Sequence, residues 1–107
     1  MTERTAIQEA FRETCEAEAR LYMIKLSGRG DKSAAFHAFA GAFRNLYSLT
    51  INNTKIREAK TQQCDTGTLV EHIDVWFERG STSTGGVALG TALFKEFNIA
   101  LGGVGLL

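Results

Sequence analysis

The sequence of 107 residues contains no proline and only two cysteines. Average usage of about 5% would give roughly five prolines, so the chain lacks the residue that most often interrupts helices. The two cysteines, Cys15 and Cys64, are too few for a disulfide scaffold. These absences favour a helical chain with few irregular segments and no disulfide framework.

Long apolar runs are also missing. The first 26 residues hold no apolar run between a basic start and a small-residue cleavage site, so we do not expect a signal peptide. The apolar run that begins at Val87 is interrupted by Lys95 and Glu96, so we do not expect a transmembrane span. Together with the low cysteine count, this predicts a cytoplasmic protein with reduced thiols and no membrane partner.

An excess of charge of either sign is absent, because 12 basic residues balance 12 acidic ones. A neutral chain has no overall attraction to nucleic acid or anionic lipid. The charges are nevertheless unevenly placed, since residues 27–64 carry six bases and two acids, an excess of +4. Only this middle third could supply a local basic patch.

The most informative stretch is Ser33–Leu49, in which large apolar residues recur at the three- and four-residue spacing of one helix face. Three of the seven phenylalanines fall within eight residues here. Burying each ring stabilises the fold by about 1.5–3 kcal/mol, so we predict that this helix is central to the core. The apolar stripe consists of Phe36, Phe39, Phe43, Leu46 and Tyr47.

The same spacing predicts a first helix over Thr5–Leu26. Gly28 is expected to end it, and Asp31 or Ser33 is expected to cap the second helix. A connector this short makes the two helices antiparallel neighbours. The stripe predicted to bury the first helix consists of Ile7, Phe11, Cys15, Ala19, Tyr22, Met23 and Leu26.

The segment Thr50–Gln63 leaves two interpretations open. In one, the chain turns at two asparagines and begins a short basic helix at Thr54. In the other, Leu49–Ile51 pairs with Lys55–Arg57 as a β-hairpin. We favour the helix, because the residues that follow are rich in helix formers.

Two further helices are predicted in the second half of the chain. Thr68 and Glu71 have the spacing of a capping box, which favours a helix over Thr68–Phe77. A strand over the same residues is the alternative, because β-branched side chains are frequent there. The last helix is predicted over Val87–Leu101.

Taken in order, these segments predict an all-α fold, a compact bundle of four to five helices. One domain is expected, covering residues 1–107, because this length is close to that of domains that fold alone. The alternative is an α+β fold with a short hairpin near 49–57 and a strand near 68–77.

Motifs that carry catalysis or hold a metal are missing from the sequence. No C-x-x-C, H-x-x-x-H or H-E-x-x-H spacing occurs, and the glycine-rich run Gly80–Gly86 lacks the lysine of a P-loop. Arg29-Gly30-Asp31 is expected to be a helix connector rather than an adhesion motif. We therefore predict a protein that is not an enzyme and that has no catalytic residue, cofactor or metal. The weak candidates for acid–base or metal chemistry are His37, His72, Glu71, Asp74, Cys15 and Cys64.

The first candidate surface is a basic patch in the middle third. Asparagine and glutamine lie among its cations and could hydrogen-bond phosphates or base edges. No aromatic residue is interleaved with these bases, which argues against a platform for stacking single strands. The patch consists of Arg44, Lys55, Arg57 and Lys60.

The second candidate surface is the apolar C-terminal third. Gly86 and Gly90 allow close helix contact, and the apolar residues that follow exceed what one partner face usually covers in a four-helix domain. An exposed apolar patch usually marks an interaction surface, whereas ordinary burial within the chain is the alternative. The predicted surface consists of Phe94, Phe97, Leu101, Val104 and Leu106.

The leading hypothesis is a small non-enzymatic protein–protein interaction or assembly protein that self-associates through its C-terminal third. Small chains without a catalytic motif often serve as adaptors, inhibitors or structural subunits, including those of viruses and mobile elements, which is an association and not an inference from residues. The alternative is a nucleic-acid-binding regulator that uses residues 44–60 and is retained on DNA or RNA in a salt-sensitive way. The expected partner is a protein, a second copy included, ahead of nucleic acid.

Overall fold

The structure, a computed structural model, describes residues 3–62, 67–79 and 86–107, with side chains from Thr5 onward. Helices form 82% of the described chain, and these ranges contain no strand, so the predicted all-α bundle is confirmed. The α+β alternative is wrong, because 54–58 and 69–79 are helical and only an isolated bridge joins Lys60 to Thr68. The five helices are α1 (Glu3–Ser27), α2 (Lys32–Thr50), α3 (Thr54–Glu58), α4 (Leu69–Arg79) and α5 (Gly86–Gly103).

The turn between α1 and α2 follows the predicted capping residues. Gly28 has a φ of 69°, which favours glycine, and its N–H donates to the carbonyl of Ile24 at 2.9 Å. Asp31 caps α2 by accepting a hydrogen bond from the N–H of Ala34 at 3.0 Å. This short connector leaves α1 and α2 as the most extensively packed pair of helices.

The connection from α2 to α4 contains the short helix that was predicted to begin at Thr54. Asn53 caps α3 by accepting from the N–H of Lys55 at 2.9 Å, but α3 ends at Glu58. The chain then pairs back on itself, since the N–H of Leu69 donates to the carbonyl of Ala59 at 2.8 Å. Thr68 begins α4 as predicted, because its hydroxyl accepts from the N–H of Glu71 at 3.4 Å.

The core is a layer of aromatic rings between α2 on one side and α4 and α5 on the other. Phe43 is at its centre, with its ring centroid 5.8 Å from that of Trp76, 5.3 Å from Phe94 and 5.7 Å from Phe97. Ring pairs at this spacing add to the stabilisation from burial. The side chain of Phe43 is fully buried, so the prediction that α2 supplies the core is confirmed.

The face that α1 buries differs from the predicted stripe. Ala10 and Thr14 are buried, and the Thr14 hydroxyl is satisfied by donating to the carbonyl of Ala10 at 2.7 Å. Tyr22, Met23 and Leu26, which were predicted to be buried, are exposed. Because Ala10 and Thr14 have small side chains, the neighbouring helices can approach α1 closely on the side that carries them. The face that packs inward consists of Ile7, Ala10, Thr14, Ala17, Leu21 and Ile24.

The contact between α4 and α5 depends on Gly90. The indole N–H of Trp76 donates to the carbonyl of Gly86 at 2.7 Å, which holds the ring against α5. A Cβ atom at Gly90 would overlap the six-membered ring of Trp76. The close helix contact predicted from Gly86 and Gly90 is therefore confirmed, and its partner is Trp76.

Candidate functional site

The predicted C-terminal surface lies mostly inside the protein. Phe94, Phe97 and Leu101 are at most 1% exposed. Rings of α1 and α2 pack against Phe94, and Tyr47 of α2 packs against Phe97. The prediction that these three residues form an exposed patch is therefore wrong. They are core residues of the folded chain, which was the alternative interpretation.

Val104 and Leu106 are half-buried and pack on the same core. Gly105, two residues after the end of α5, has a φ of 76°, and the N–H of Leu106 donates to the carbonyl of Leu101 at 3.0 Å. The N–H of Gly105 donates to the carbonyl of Gly102, which completes a Schellman motif. This turn folds the tail back onto the core, so little of the predicted surface remains available.

The exposed apolar surface lies on the C-terminal half of α1 instead. Tyr22, Met23 and Leu26 are 59%, 64% and 66% exposed. With Cys15 and Ala19, they continue a line at four- and three-residue spacing that runs beside the buried face of the helix. We call the line Cys15, Ala19, Tyr22, Met23 and Leu26 the α1 stripe.

A groove between α1 and α5 is lined by Cys15, Ala19 and Tyr22 of the α1 stripe. It has a volume of about 370 Å³, and Val87 and Thr91 form its α5 side. Glu18 and Lys25 place opposite charges along the α1 side of the groove. A second depression of about 470 Å³ shares Glu18 and Thr91 with the groove and extends it toward Asn98.

The groove is partly shielded from water, since Cys15 and Glu18 are half-buried. Burial raises the pKa of the Glu18 carboxyl, because the charged form loses hydration. Burial also raises the pKa of the Cys15 thiol, and the neighbouring Glu18 charge adds to this effect. A raised pKa lowers the fraction of thiolate, so Cys15 has the character of a small apolar residue rather than a nucleophile.

One base of the predicted basic patch, Arg57, is held by the protein backbone. The Nε of Arg57 donates to the carbonyl of Ile51 at 2.9 Å. Nearby on α2 and α4, the hydroxyl of Tyr47 donates to Asp74 at 2.8 Å. Lys55 and Lys60 are exposed on the segment that contains α3 and the following bridge.

Arg44 lies apart from the α3 segment, on α2. Its guanidinium carbon is 5.2 Å from the centroid of the Phe77 ring on α4, a cation–π distance. His37 is also on α2, with its ring centroid 6.1 Å from that of Phe36. Arg44 and His37 line a groove between α2 and α4 that has a volume of about 270 Å³.

Of the remaining candidates for acid–base or metal chemistry, Glu71 and His72 both reach toward Gly67. Within the described ranges, no group of three or more His, Cys, Asp or Glu side chains could hold a metal ion. Cys64 and the glycine-rich residues 80–85 lie outside the described residues. Asp31 of the Arg29-Gly30-Asp31 sequence caps α2, as a connector residue would.

Two further findings bear on the class of protein. No described helix is both long and apolar enough to cross a lipid bilayer. Comparison with protein-family models, curated proteins and solved structures gave no match.

Sequence reasoning missed the α1 stripe as a surface, because it assigned these residues to the core. The sequence did contain an indication of this surface, because the apolar residues of α1 are too many to lie along a single line of the helix. Ile7, Leu21 and Ile24 form one line at heptad spacing, and Cys15, Tyr22 and Leu26 form a second. A helix with two apolar lines needs a second partner for the second line.

Proposed function

We propose that this chain is a small non-enzymatic interaction or assembly protein of the cytoplasm that self-associates through the α1 stripe. The observation that carries the proposal is the exposure of Tyr22, Met23 and Leu26 on one helix, each 59–66%. A contiguous apolar line on an otherwise folded chain is typical of a protein–protein contact. The proposal moves the contact from the C-terminal third to α1, with Val87 and Thr91 of α5 at its edge.

The spacing of the α1 stripe supports a second helix as the occupant. Cys15, Ala19, Tyr22 and Leu26 follow one another at intervals of four, three and four residues. This is the spacing at which side chains of one helix insert between those of another. Ala19 is small, which allows the two helix axes to approach closely near the middle of the stripe.

The charges beside the stripe support a second copy of the same chain. Glu18 and Lys25 carry opposite charges at the same groove. In an antiparallel pair of α1 helices, with a two-fold axis between residues 21 and 22, Glu18 of each copy faces Lys25 of the other. A two-fold interface is self-complementary, so one pair of opposite charges supplies two contacts.

The test is the mass of the protein in solution, measured by light scattering over a range of concentrations. We expect the wild-type chain to have twice the monomer mass, and the double variant Met23→Glu/Leu26→Glu to be a monomer. Val75→Glu is the matched control, because Val75 is 50% exposed on α4, outside the stripe. A monomeric wild-type chain, or a double variant that still dimerises, would overturn the proposal.

A charge exchange tests the antiparallel geometry. Glu18→Lys and Lys25→Glu should each weaken the dimer, because each places like charges opposite one another. The double exchange Glu18→Lys/Lys25→Glu should restore it. Failure of the double exchange to recover the dimer would contradict this geometry while leaving the apolar contact intact.

A separate variant tests whether the self-association contact lies on α5 instead of on α1. Ile99 is 65% exposed on α5, in the C-terminal third. Ile99→Glu should leave the mass unchanged if self-association uses α1. Loss of the dimer in Ile99→Glu, but not in Met23→Glu/Leu26→Glu, would return the contact to the C-terminal third.

A further inference from the structure

The groove between α1 and α5 separates two helices whose main contacts lie elsewhere. Helix α1 packs chiefly against α2, and helix α5 packs chiefly against α4. Leu21 lines the groove from α1 and is 1% exposed, and Val87 lines it from α5 and is half-buried. The volume of about 370 Å³ is within the range of about 300–1,000 Å³ typical of ligand pockets. The groove is therefore large enough to accept a side chain from another molecule.

The lining of the groove suits an occupant with an apolar body and a polar tip. Leu21 and Val87 are apolar, whereas Glu18 and Thr91 carry polar groups. The Thr91 hydroxyl donates to a backbone carbonyl of its own helix at 3.0 Å, so its oxygen can still accept a hydrogen bond. A tyrosine side chain combines a flat apolar ring with a hydroxyl that both donates and accepts. Tyrosine therefore matches this lining, and of the two tyrosines in the chain only Tyr22 is exposed.

Tyr22 lies at the centre of the antiparallel pair of α1 helices. The two-fold axis passes between residues 21 and 22, so Tyr22 of each copy is level with Leu21 of the other. Leu21 belongs to the groove, and the Tyr22 side chain is 59% exposed. Residues near the centre of an interface contribute most of its binding energy, and tyrosine is enriched among them.

We propose that Tyr22 of each copy inserts into the α1–α5 groove of the other copy, between Leu21 and Val87. This inference rests on the proposed self-association through the α1 stripe, and it names the side chain and the groove that join the two copies. Because the interface is two-fold, the insertion occurs twice, and each groove is completed by a side chain of the other copy. The pairs of Glu18 and Lys25, which line the same groove, then lie on either side of the two rings along the helices.

Removing the inserted ring should weaken the dimer. We expect Tyr22→Ala to raise the dissociation constant, measured by light scattering on the full-length chain, by about thirtyfold or more, as for a residue that dominates an interface. Tyr22→Phe is the matched control, because it keeps the ring and removes only the hydroxyl, and its effect should be much smaller. An unchanged dissociation constant in Tyr22→Ala, or equal losses in the two variants, would overturn the proposal.

Filling the groove from the α5 side should also weaken the dimer. Val87→Trp places a large ring where Tyr22 of the other copy would insert. Ala88→Trp is the matched control, because Ala88 is the next residue of α5, is exposed and lies outside the groove. A Val87→Trp chain that dimerises as tightly as Ala88→Trp would overturn the proposal. If circular dichroism shows that Val87→Trp does not fold, the two substitutions of the exposed Tyr22 decide the question.

A mixture of two variants tests whether the insertion is reciprocal. In a heterodimer of Tyr22→Ala and Val87→Trp chains, the one intact Tyr22 side chain meets the one open groove, and the filled groove faces the truncated side chain. We therefore expect the equimolar mixture to dimerise more tightly than either variant alone, with the heterodimer identified by native mass spectrometry. A mixture that forms no more dimer than the two variants do separately would overturn the proposal.

The outcomes distinguish failure of the insertion from failure of the self-association on which it rests. A monomeric wild-type chain would overturn both. A wild-type dimer that Met23→Glu/Leu26→Glu dissociates, but that Tyr22→Ala and Val87→Trp leave unchanged, would overturn only the insertion of Tyr22.

Discussion

Helix α4 meets its two neighbours in opposite ways. Toward α5, Trp76 fills the space above Gly90 and donates a hydrogen bond to the carbonyl of Gly86. Toward α2, the space above Gly41 is empty and forms part of a groove. Both Gly90 and Gly41 lie inside helices. The difference teaches that a glycine in a helix has a packing reason only when another side chain occupies the space that its own would take.

The largest effect is expected in the aromatic layer that supports both contacts. Phe43 contacts Trp76 on α4 and Phe94 on α5, and its side chain is fully buried. Phe43→Ala should therefore lower the free energy of unfolding by about 3–5 kcal/mol. Urea-induced unfolding followed by circular dichroism measures this value, and Val75→Ala at an exposed position is the control. A loss below about 1 kcal/mol would show that the layer does not support the fold as described.

A smaller loss is expected on the filled side of α4. Gly90→Ala places a methyl group against the indole of Trp76 and should lower the free energy of unfolding by about 1–3 kcal/mol. The same substitution in a Trp76→Leu background should have a much smaller effect, because the ring is gone. Both losses are measured by urea unfolding. Equal losses in the two backgrounds would show that the effect of Gly90→Ala does not arise from contact with Trp76.

On the side of α4 that faces α2, a Gly→Ala substitution should have the opposite effect on the free energy of unfolding. Gly41→Ala should raise the free energy of unfolding by up to about 1 kcal/mol, because alanine favours the helix and meets no neighbour. Thermal unfolding of Gly41→Ala beside Gly90→Ala gives the comparison directly. Destabilisation by Gly41→Ala would show that the fold itself needs the space, and the contrast between the two glycines would fail.

The smallest effect at neutral pH concerns Tyr47, at the edge of the aromatic layer. Burial, together with the hydrogen bond to Asp74, raises the pKa of the Tyr47 hydroxyl above its usual value, although Arg57 opposes this. Folding therefore favours the protonated form. The resulting contribution to the free energy of unfolding is complete below the ordinary tyrosine pKa of about 10 and is lost as the pH rises above it.

The pH dependence is measured by urea unfolding between neutral pH and about pH 11, above the ordinary tyrosine pKa. The wild-type chain should lose stability over this range more steeply than Tyr47→Phe. Tyr22→Phe is the control, because Tyr22 is 59% exposed and is the only other tyrosine. A steep loss that persists in Tyr47→Phe would assign it to other groups.

The helices themselves could be predicted from local sequence. Gly28 and Asp31 bound the turn between α1 and α2 as expected, because capping depends on residues that are neighbours in the chain. The end of α3 at Glu58 could not be predicted in this way. The backbone there pairs with Leu69 across the intervening residues, and such pairing overrides helix propensity.

The candidate surfaces were harder to predict, because exposure depends on the neighbours that the fold supplies. Leu101 and Leu26 look alike in sequence, since each lies in an apolar pattern near the end of a helix. Leu101 is fully buried and Leu26 is 66% exposed. No local pattern distinguishes a leucine that another helix covers from one that extends beyond its neighbours.

The sequence by itself determined the all-α class, the helix caps and the central place of α2, because spacing and capping act over a few residues. The tertiary structure decided which apolar line of α1 faces the core, that the rings of α5 are buried, and which glycine meets a tryptophan. These outcomes depend on which helices come together across the whole chain. Gly41 and Gly90 are the same residue in the same kind of helix, and only their neighbours make one a contact and the other a groove.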